Sequence, residues 1–314
     1  MVDLKQKSLL VVGGTGFIGT VLLKRANILG LKTTSLSLNK PSYTNALDNT
    51  KYLHTDTSNK KNLEAMLDND YNYVVNLGGY IEHKLIKDGG FSIINNQLLL
   101  LNNLVSLINT KNLIRFIQIG SSDEYGLNKS PQKENYREHP ISPYSFARVI
   151  NTQYLQMLNL TEKFPSVILR LFLVYGPYQK FDRLIPYVIK SCLNNEIFKL
   201  SEGSQIKNFC FVDDVVDAII QSLTSHNIEG QIINIGSEET ISVRGIVEKI
   251  CSLVKSGKPI FDNNISKAIE NKNLFPDISK SKEMLNWSPT TSLEIGLDRT
   301  INWYNKNLNN TKYD

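Results

Sequence analysis

The first half of the chain alternates between short apolar runs and segments whose apolar residues recur at helical spacing. This pattern predicts strands at 8–12, 33–38, 51–54, 73–77, 113–119 and 166–173, and helices at 17–29, 60–69, 95–109 and 143–160. Strands that alternate with helices in this way build a parallel sheet covered on both faces. We therefore expect an α/β fold with a doubly wound parallel sheet.

The regular alternation weakens after Tyr175, where short helices and turns are mixed. With 314 residues and 41% hydrophobic content, the chain can bury a large core. We predict a larger domain over 1–174, to which 206–240 return, and a smaller C-terminal lobe made of 175–205 and 241–314. Within the second half, Asp213 and Asp214 precede an apolar helical pattern and are interpreted as helix caps.

Three glycines follow the first predicted strand at three-residue spacing: Gly13, Gly16 and Gly19. Gly13 is free to take backbone angles closed to other residues, Gly16 has no Cβ to block an approaching anion, and Gly19 lets the helix pack close to the strand. The helix N-terminus then offers N–H groups to the anion. The spacing alone also fits an ordinary tight turn, but its place between strand and helix favours the pyrophosphate of a dinucleotide.

The end of the second predicted strand lacks the acidic residue that usually holds the adenosine ribose. Ser37, Asn39 and Lys40 stand there instead. A small polar residue near a lysine fits a 2′-phosphate and equally a plain hydroxyl. These residues therefore leave open whether the dinucleotide is NAD or NADP.

Charge and cysteine content narrow the class of protein. The net charge of +5 is spread along the chain, which suits an anionic small molecule better than nucleic acid. No apolar run approaches the roughly 20 residues needed to span a bilayer. The three cysteines stand far apart in apolar surroundings, as buried thiols of a reducing compartment do, and the four histidines share no metal-ligand spacing. We expect a cytoplasmic protein that has no metal site and does not bind membranes.

A phenol and a guanidinium are predicted to share one face of the helix that begins near Pro143. Tyr144 and Arg148 are four residues apart, and residues at this spacing are neighbours on a helix surface. A cation about 4 Å from a phenolate stabilises it by roughly 4 kcal/mol at an effective dielectric constant of about 20. The pair is therefore suited to acid–base chemistry near neutral pH.

Taken together, the chain resembles the extended short-chain dehydrogenase/reductase family, in its nucleotide-sugar epimerase, dehydratase and reductase branch. The resemblance covers nearly the whole chain and is carried, besides the glycine turn, by Asp56, Asn76 to Gly79, Ser121 ahead of Tyr125 and Gly126, Tyr144, Arg170 to Pro177, Gly203, Asn208 to Asp214, Asn234 to Gly236 and Leu285 to Pro289. It implies a Rossmann domain that binds NAD, with NADP as the alternative, and a smaller lobe that binds a nucleotide sugar. The residues expected at the dinucleotide are Gly13, Thr15, Gly16, Phe17, Ile18, Gly19, Ser37, Asn39, Lys40, Asp56, Thr57, Leu77, Gly78, Gly79, Asn96, Tyr144, Arg148 and Leu171.

The resemblance also implies catalytic roles. Tyr144 as phenolate would take a proton from a sugar hydroxyl, most often at C4, while hydride leaves that carbon for the nicotinamide. Ser121 would form a hydrogen bond with the same hydroxyl oxygen. Arg148 stands where the family has a lysine. Its guanidinium keeps the positive charge and can donate hydrogen bonds to both hydroxyls of the nicotinamide ribose. Asp123 stands where the family's dehydratases usually have a glutamate, one methylene longer.

The expected activity is therefore redox at sugar C4, as a 4-dehydrogenase, 4-reductase or 4-epimerase, for example in the biosynthesis of surface polysaccharide. A 4,6-dehydratase is the second alternative, and a dinucleotide-binding regulator without catalysis is the third. The residues expected at the substrate are His83, Ser122, Asp123, Arg183 and Lys207, the lysine as a point charge for the diphosphate. The base stays open among guanosine, uridine, thymidine and cytidine, as does the sugar.

The predicted helices at 95–109 and 143–160 carry more apolar surface than one face on a sheet requires. Burial within the monomer is one explanation. The other, which we favour, is a homodimer or larger homo-oligomer in which these helices pair as a bundle.

Overall fold

The apolar run that ends at Val12 is buried on both of its faces. Leu9 and Val11 belong to one apolar cluster, while Leu10 and Val12 belong to another on the opposite face. A strand buried on both faces is typical of a parallel sheet between two helical layers. The computed structural model, which describes residues 4–41, 46–68, 70–79, 84–262 and 271–308, has this architecture.

The strands in the described ranges are β1 (Ser8–Val12), β2 (Lys32–Ser37), β3 (Thr50–His54), β4 (Tyr73–Asn76), β5 (Arg115–Ser121), β6 (Ser166–Leu171), β7 (Leu173–Tyr175), β8 (Ile197–Ser201), β9 (Ile206–Lys207), β10 (Phe209–Phe211), β11 (Ile232–Ile235), β12 (Ile241–Ser242), β13 (Lys258–Asp262) and β14 (Asn273–Leu274). Seven of them form the main sheet in the order β11-β6-β5-β4-β1-β2-β3, and all neighbours are parallel. The strand order reverses between β1 and β4, and ligands of such sheets bind at that point, beyond the carboxyl ends of the strands. The predicted fold class is thus confirmed.

The α-helices are α1 (Phe17–Ile28), α2 (Lys60–Met66), α3 (Phe91–Leu107), α4 (Pro143–Glu162), α5 (Leu184–Leu193), α6 (Val212–Thr224), α7 (Val243–Val254), α8 (Ser279–Leu285) and α9 (Leu293–Asn307). Single 3-10 turns occur at Ile86–Asp88 and Ser122–Tyr125. α1 and α6 pack together on one face of the main sheet, and α3 and α4 pack together on the other. No helix of the described part is long and apolar enough to cross a membrane.

A third apolar cluster lies beside the main sheet. It is built from α5, α7 and α9 and includes Ile189, Ile246 and Leu297. Two small sheets border it, one of β8 with β13 and one of β12, β9 and β14. The exact division of the chain into a larger domain and a smaller lobe stays a prediction.

The predicted strand at 166–173 is in fact two strands. β6 ends at Leu171, and β7 begins at Leu173 and pairs in parallel with β10 instead of staying in the main sheet. Between them, Phe172 is buried in a separate cluster with Tyr125 and Leu274. The apolar pattern is continuous across this break because both strands are buried, so the pattern could not reveal it.

The interpretation of Asp213 and Asp214 as helix caps was wrong. α6 begins at Val212, its N-cap residue is Phe211, and both acids lie inside the first turn. Asp214 is 2% exposed, so its carboxylate is held inside the protein rather than at a solvent-facing helix end.

Candidate functional site

The glycine turn has the geometry that a pyrophosphate requires. Gly13 has φ +80°, in the left-handed region that favours glycine. A Cβ on Gly19 would lie 2.3 Å from the carbonyl oxygen of Gly13, so only glycine allows α1 to start this close to β1. The N-cap of α1 is Gly16, no side chain caps this end, and the first turn contains no acid. The N-terminus of α1 therefore fits an anion, as a bound dinucleotide would supply.

The end of β2 supports this turn directly. The Thr15 N–H donates to Ser37 Oγ at 3.2 Å, and Thr15 Oγ1 donates to the Asn39 carbonyl oxygen at 3.3 Å. Ser37 is buried, whereas Asn39 and Lys40 are exposed beside it. The residue that stands in for the usual acid thus helps to hold the turn itself.

The loop after β4 lies next to the candidate catalytic helix. The Gly78 N–H donates to Asn76 Oδ1 at 3.0 Å. A Cβ on Gly79 would come within 2.8 Å of Arg148 Nη2 and within 2.5 Å of Gln97 Oε1. The loop and the guanidinium therefore border the same space, where the resemblance places the nicotinamide end of the dinucleotide.

Tyr144 stands in the first turn of α4. Ser142 caps this helix in a reciprocal capping box with Ser145, and Pro143 occupies the first turn, which is why the helix begins here. Arg148, one turn further on, is 5% exposed, and its Nη1 donates to the Ile119 carbonyl oxygen at 3.0 Å. The Arg148 Cζ atom lies 5.2 Å from the centre of the Tyr144 ring. The pair predicted from its spacing is brought together.

Ser121 ends β5 and is also the N-cap of the following 3-10 turn. Its Oγ accepts a hydrogen bond from the Asp123 N–H at 3.1 Å, and the Glu124 side chain completes a capping box. α4 packs on both β5 and this turn, so Ser121 and Tyr144 lie on neighbouring elements. The cap role of Ser121 and a catalytic role are compatible, because the hydroxyl can still donate its proton.

A buried ion pair beneath this turn was missed at the sequence level. Glu124 and Arg170 are both fully buried and 2.8 Å apart, and Arg170 also contacts Glu138 at 2.6 Å. Glu124 Oε1 accepts from the Ser121 N–H at 2.8 Å, and its Oε2 accepts from Thr152 Oγ1 at 2.8 Å. Burial lowers the pKa of Arg170, but Glu124, Tyr125 and Glu138 together outweigh this, so the pKa ends above its ordinary value. The signal that could have found Glu124 is the capping-box spacing Ser-x-x-Glu.

A cavity of about 870 Å³ opens beside the 3-10 turn at Ser122–Tyr125. Asp123 lines it on the side of the main sheet, and Arg183, Lys199 and Lys207 line it elsewhere. Two of these cations, Arg183 and Lys207, were predicted at the substrate. The size and the positive side chains suit a dianionic diphosphate ligand.

The remaining predicted site residues are placed as follows. Ser122 is 2% exposed and is not in the cavity wall, and Leu171 is buried in the core. Asp56 is exposed, with its Oδ1 accepting from the N–H and hydroxyl of Ser58, and Asn96 is half-buried on α3. His83 lies outside the described residues.

The fold and the glycine turn define a dinucleotide-binding protein of the Rossmann type. The model of the NAD dependent epimerase/dehydratase family matches residues 9–236, and the chain belongs to this family. NAD is therefore the cofactor, which the resemblance implied with NADP as the alternative. The family membership also agrees with the resemblance read from the motifs.

Individual relatives show what kinds of enzyme the chain is similar to. It is 31% identical over 205 residues to the uncharacterized UDP-glucose epimerase YtcB of Bacillus subtilis (64% of this chain, 64% of that protein). It is 29% identical over 205 residues to the dTDP-D-glucose 4,6-dehydratase of Mus musculus (63% of this chain, 58% of that protein). The alignment thus spans less than two thirds of the length of either relative.

Among solved structures, the chain is similar to UDP-glucuronic acid 4-epimerase from Bacillus cereus in complex with UDP-glucuronic acid and NAD. The TM-score is 0.84 at 25% sequence identity, over 95% of this chain and 99% of that one. This similarity extends across the third apolar cluster, of α5, α7 and α9, as well as the main sheet.

Proposed function

We propose that the protein catalyses hydride transfer at C4 of the sugar in a nucleotide-diphosphate sugar, as a 4-epimerase, 4-dehydrogenase or 4-reductase. One observation carries the proposal: the Tyr144 and Arg148 pair lies on a helix that packs against the turn carrying Ser121, at the edge of the sheet where the glycine turn also lies. A cavity with positive side chains opens next to them. These features together are what C4 redox requires.

In this proposal each group has one task. Tyr144 as phenolate takes the proton of the C4 hydroxyl, and Ser121 donates a hydrogen bond to the same oxygen. Arg148 stabilises the phenolate by its charge and orients the nicotinamide ribose. NAD, when bound, supplies the hydride acceptor. Its pyrophosphate would be held by the N–H groups of the first turn of α1, which follows Gly16.

The diphosphate of the substrate would lie between Arg183 and Lys207 in the cavity. The relatives are named for UDP and dTDP sugars, which favours a pyrimidine nucleotide over guanosine. A role in making sugars for surface polysaccharide and a cytoplasmic location are parts of the same proposal. The free cysteines of the described chain support that location.

A 4,6-dehydratase is the second candidate, and Asp123 is the observation that favours it. This carboxylate lies in the cavity wall, two residues after Ser121, where an acid could act on the sugar beyond C4. Its side chain is one methylene shorter than the usual glutamate. Loss of water from the sugar is the result that would distinguish this reaction.

We further propose that the protein is a homodimer that pairs α3 and α4 with their copies. Leu98, Leu99, Met157 and Leu160 are exposed on these helices, and Leu160 is 73% exposed. α3 and α4 pack on each other and are joined by a 2.9 Å hydrogen bond from Tyr154 Oη to Asn102 Oδ1, so they present one continuous surface. Pairing would bury this apolar patch.

The deciding experiment incubates the purified protein and NAD with UDP, dTDP, GDP and CDP sugars and follows nicotinamide absorbance with mass spectra and stereochemistry of the sugars. A mass change of two hydrogens indicates net redox, an unchanged mass with inverted C4 indicates epimerisation, and loss of water indicates the dehydratase. We expect Tyr144→Phe to abolish turnover while NAD stays bound. Tyr154→Phe, on the same helix but bonded to Asn102, is the matched control and should remain active. NAD binding without any change in any sugar would contradict the proposal and favour a regulator.

A further inference from the structure

Asn271 connects three parts of the cavity wall. Its backbone carbonyl oxygen accepts a hydrogen bond from Lys207 Nζ at 2.8 Å. Its side-chain Nδ2 donates to the carbonyl oxygens of Gly126 at 2.7 Å and Asn128 at 3.0 Å. Its Oδ1 accepts from the Asn273 N–H at 3.0 Å. Donor and acceptor atoms of this residue are therefore used at once, in a geometry that fixes its side chain.

These contacts link the cation that would bind the diphosphate to the turn that carries the reacting groups. Gly126 directly follows the 3-10 turn, and its N–H donates to the Asp123 carbonyl oxygen at 3.1 Å. The Asp123 N–H donates in turn to Ser121 Oγ at 3.1 Å. A continuous path of hydrogen bonds thus runs from Lys207 through Asn271 to Ser121.

The path is anchored on a longer contact between two chain segments. Residues 271–277 run alongside 126–132, where the Gln132 N–H donates to the Phe275 carbonyl oxygen and the Asp277 N–H donates to the Gln132 carbonyl oxygen, both at 2.9 Å. The backbone of Gly126 packs closely against that of His139, because a Cβ on Gly126 would lie 1.6 Å from the His139 carbonyl oxygen. The segment that joins Lys207 to the turn is therefore held by hydrogen bonds on both sides.

We propose that Asn271 is a positioning residue that couples the diphosphate seat at Lys207 to the turn holding Ser121 and Asp123. This inference rests on the proposed function, since it takes a nucleotide diphosphate as the ligand of the cavity. Binding energy from a non-reacting part of a substrate accelerates a reaction only if it is used at the reacting centre. Through its hydrogen bonds, Asn271 connects binding of the diphosphate at Lys207 to the position of Ser121 in the turn.

The kinetic signature follows from which atoms each variant loses. Asn271→Ala keeps the backbone carbonyl that receives Lys207 and loses three side-chain bonds: the two that Nδ2 donates to the turn and the one that Oδ1 accepts from the Asn273 N–H. We expect kcat to fall by about ten- to a hundredfold, as small misplacements of reacting groups do, while KM changes by less than about threefold. Asn271→Asp keeps the size of the side chain but removes its donors, and should show the same split. Asn128→Ala is the matched control, because its side-chain Nδ2 donates elsewhere, to the Arg137 carbonyl oxygen at 2.7 Å.

A binding experiment tests the coupling without turnover. Excess UDP, or whichever of dTDP, GDP and CDP the wild type binds, is added, and amide hydrogen exchange is measured over 121–128. In the wild type and Asn128→Ala we expect exchange to slow by about tenfold. In Asn271→Ala and Asn271→Asp, with the nucleotide bound at similar affinity, it should stay at the ligand-free rate.

Equal protection in the Asn271 variants would overturn the inference and leave the proposed function intact. Loss of nucleotide affinity in both Asn271 variants would also overturn it, because Asn271 would then be a direct part of the binding site. A wild type that binds no nucleotide diphosphate overturns the proposed function and the coupling together. Thermal melting of each variant establishes that it is folded before exchange is measured.

Discussion

Arg148 is held by buried amides in a way that the sequence spacing does not reveal. Its Nη1 and the Gln118 Nε2 both donate to the Ile119 carbonyl oxygen, at 3.0 and 2.9 Å. Gln118 Oε1 accepts from Asn76 Nδ2 at 2.9 Å, and Asn76 Oδ1 accepts from the Gly78 N–H. This network ties the guanidinium to the loop expected at the dinucleotide. The protein thus accommodates an arginine at the position where its family has a lysine.

The charge of Arg148, rather than its shape, is expected to carry most of its effect. Arg148→Met should lower turnover by on the order of a hundredfold or more, because a cation near a phenolate contributes roughly 4 kcal/mol, and it should weaken NAD binding. Arg148→Lys keeps the charge and should stay within about tenfold of the wild type. Steady-state rates and NAD titrations measure both effects. Turnover of Arg148→Met within about threefold of the wild type would show that the charge is not used.

Breaking the ion pair of Glu124 and Arg170 is expected to lower the stability of the fold strongly. Glu124→Ala leaves a fully buried guanidinium with a single remaining carboxylate and should lower the free energy of unfolding by about 3–5 kcal/mol. Urea denaturation measures the difference. Asp68→Ala is the control, since it removes a 2.6 Å pair with Lys51 in which both side chains are more than half exposed. That change should cost less than about 1 kcal/mol, and equal costs in the two variants would refute the argument.

At the scale of elements, Asp214 connects α6 to the chain that follows α8. Its Oδ1 accepts from the Thr290 N–H at 3.1 Å and hydroxyl at 3.0 Å, and its Oδ2 accepts from the Thr291 N–H at 3.2 Å. The Trp287 indole N–H donates to the Asp214 carbonyl oxygen at 3.1 Å. One buried carboxylate therefore holds in place the chain segment that leads into α9.

This arrangement predicts unequal effects for two adjacent acids. Asp214→Ala removes three bonds to a buried charge and should destabilise the protein by about 3 kcal/mol. Asp213→Ala removes only a first-turn acid, which favours the helix by up to about 1 kcal/mol. Parallel unfolding curves compare the two. Similar small losses would show that the bonds accepted by Asp214 contribute little to stability.

At the scale of the whole molecule, the exposed apolar patch on α3 and α4 is the feature that a monomer leaves unexplained. If the proposed dimer uses this patch, Met157→Glu places a charge in the interface and should convert dimers to monomers at micromolar concentration. Ile28→Glu on α1 is the control, because Ile28 is 81% exposed but lies away from the patch. Sedimentation velocity measures both. A wild type that is already monomeric would contradict the proposed assembly.

The order of elements, the parallel sheet and the glycine turn could all be predicted from the chain itself. They depend on local features: apolar periodicity, the absence of a Cβ at Gly13 and Gly19, and the four-residue spacing of Tyr144 and Arg148. Such features depend on residues that are close together in the sequence, so the sequence alone reveals them. The resemblance to the family rested on such motifs and implied NAD, with NADP as the alternative; the family and NAD were confirmed.

Contacts between distant segments were decided only by tertiary structure. Cys192 and Cys251, which looked unrelated in the chain, bring their Sγ atoms within 3.4 Å because α5 packs on α7. The break at Phe172 and the bonds of Asp214 and Asn271 likewise depend on partners far away in the chain. A residue type predicts which hydrogen bonds a group can make, but only the packing of whole elements determines which partner is near enough to accept them.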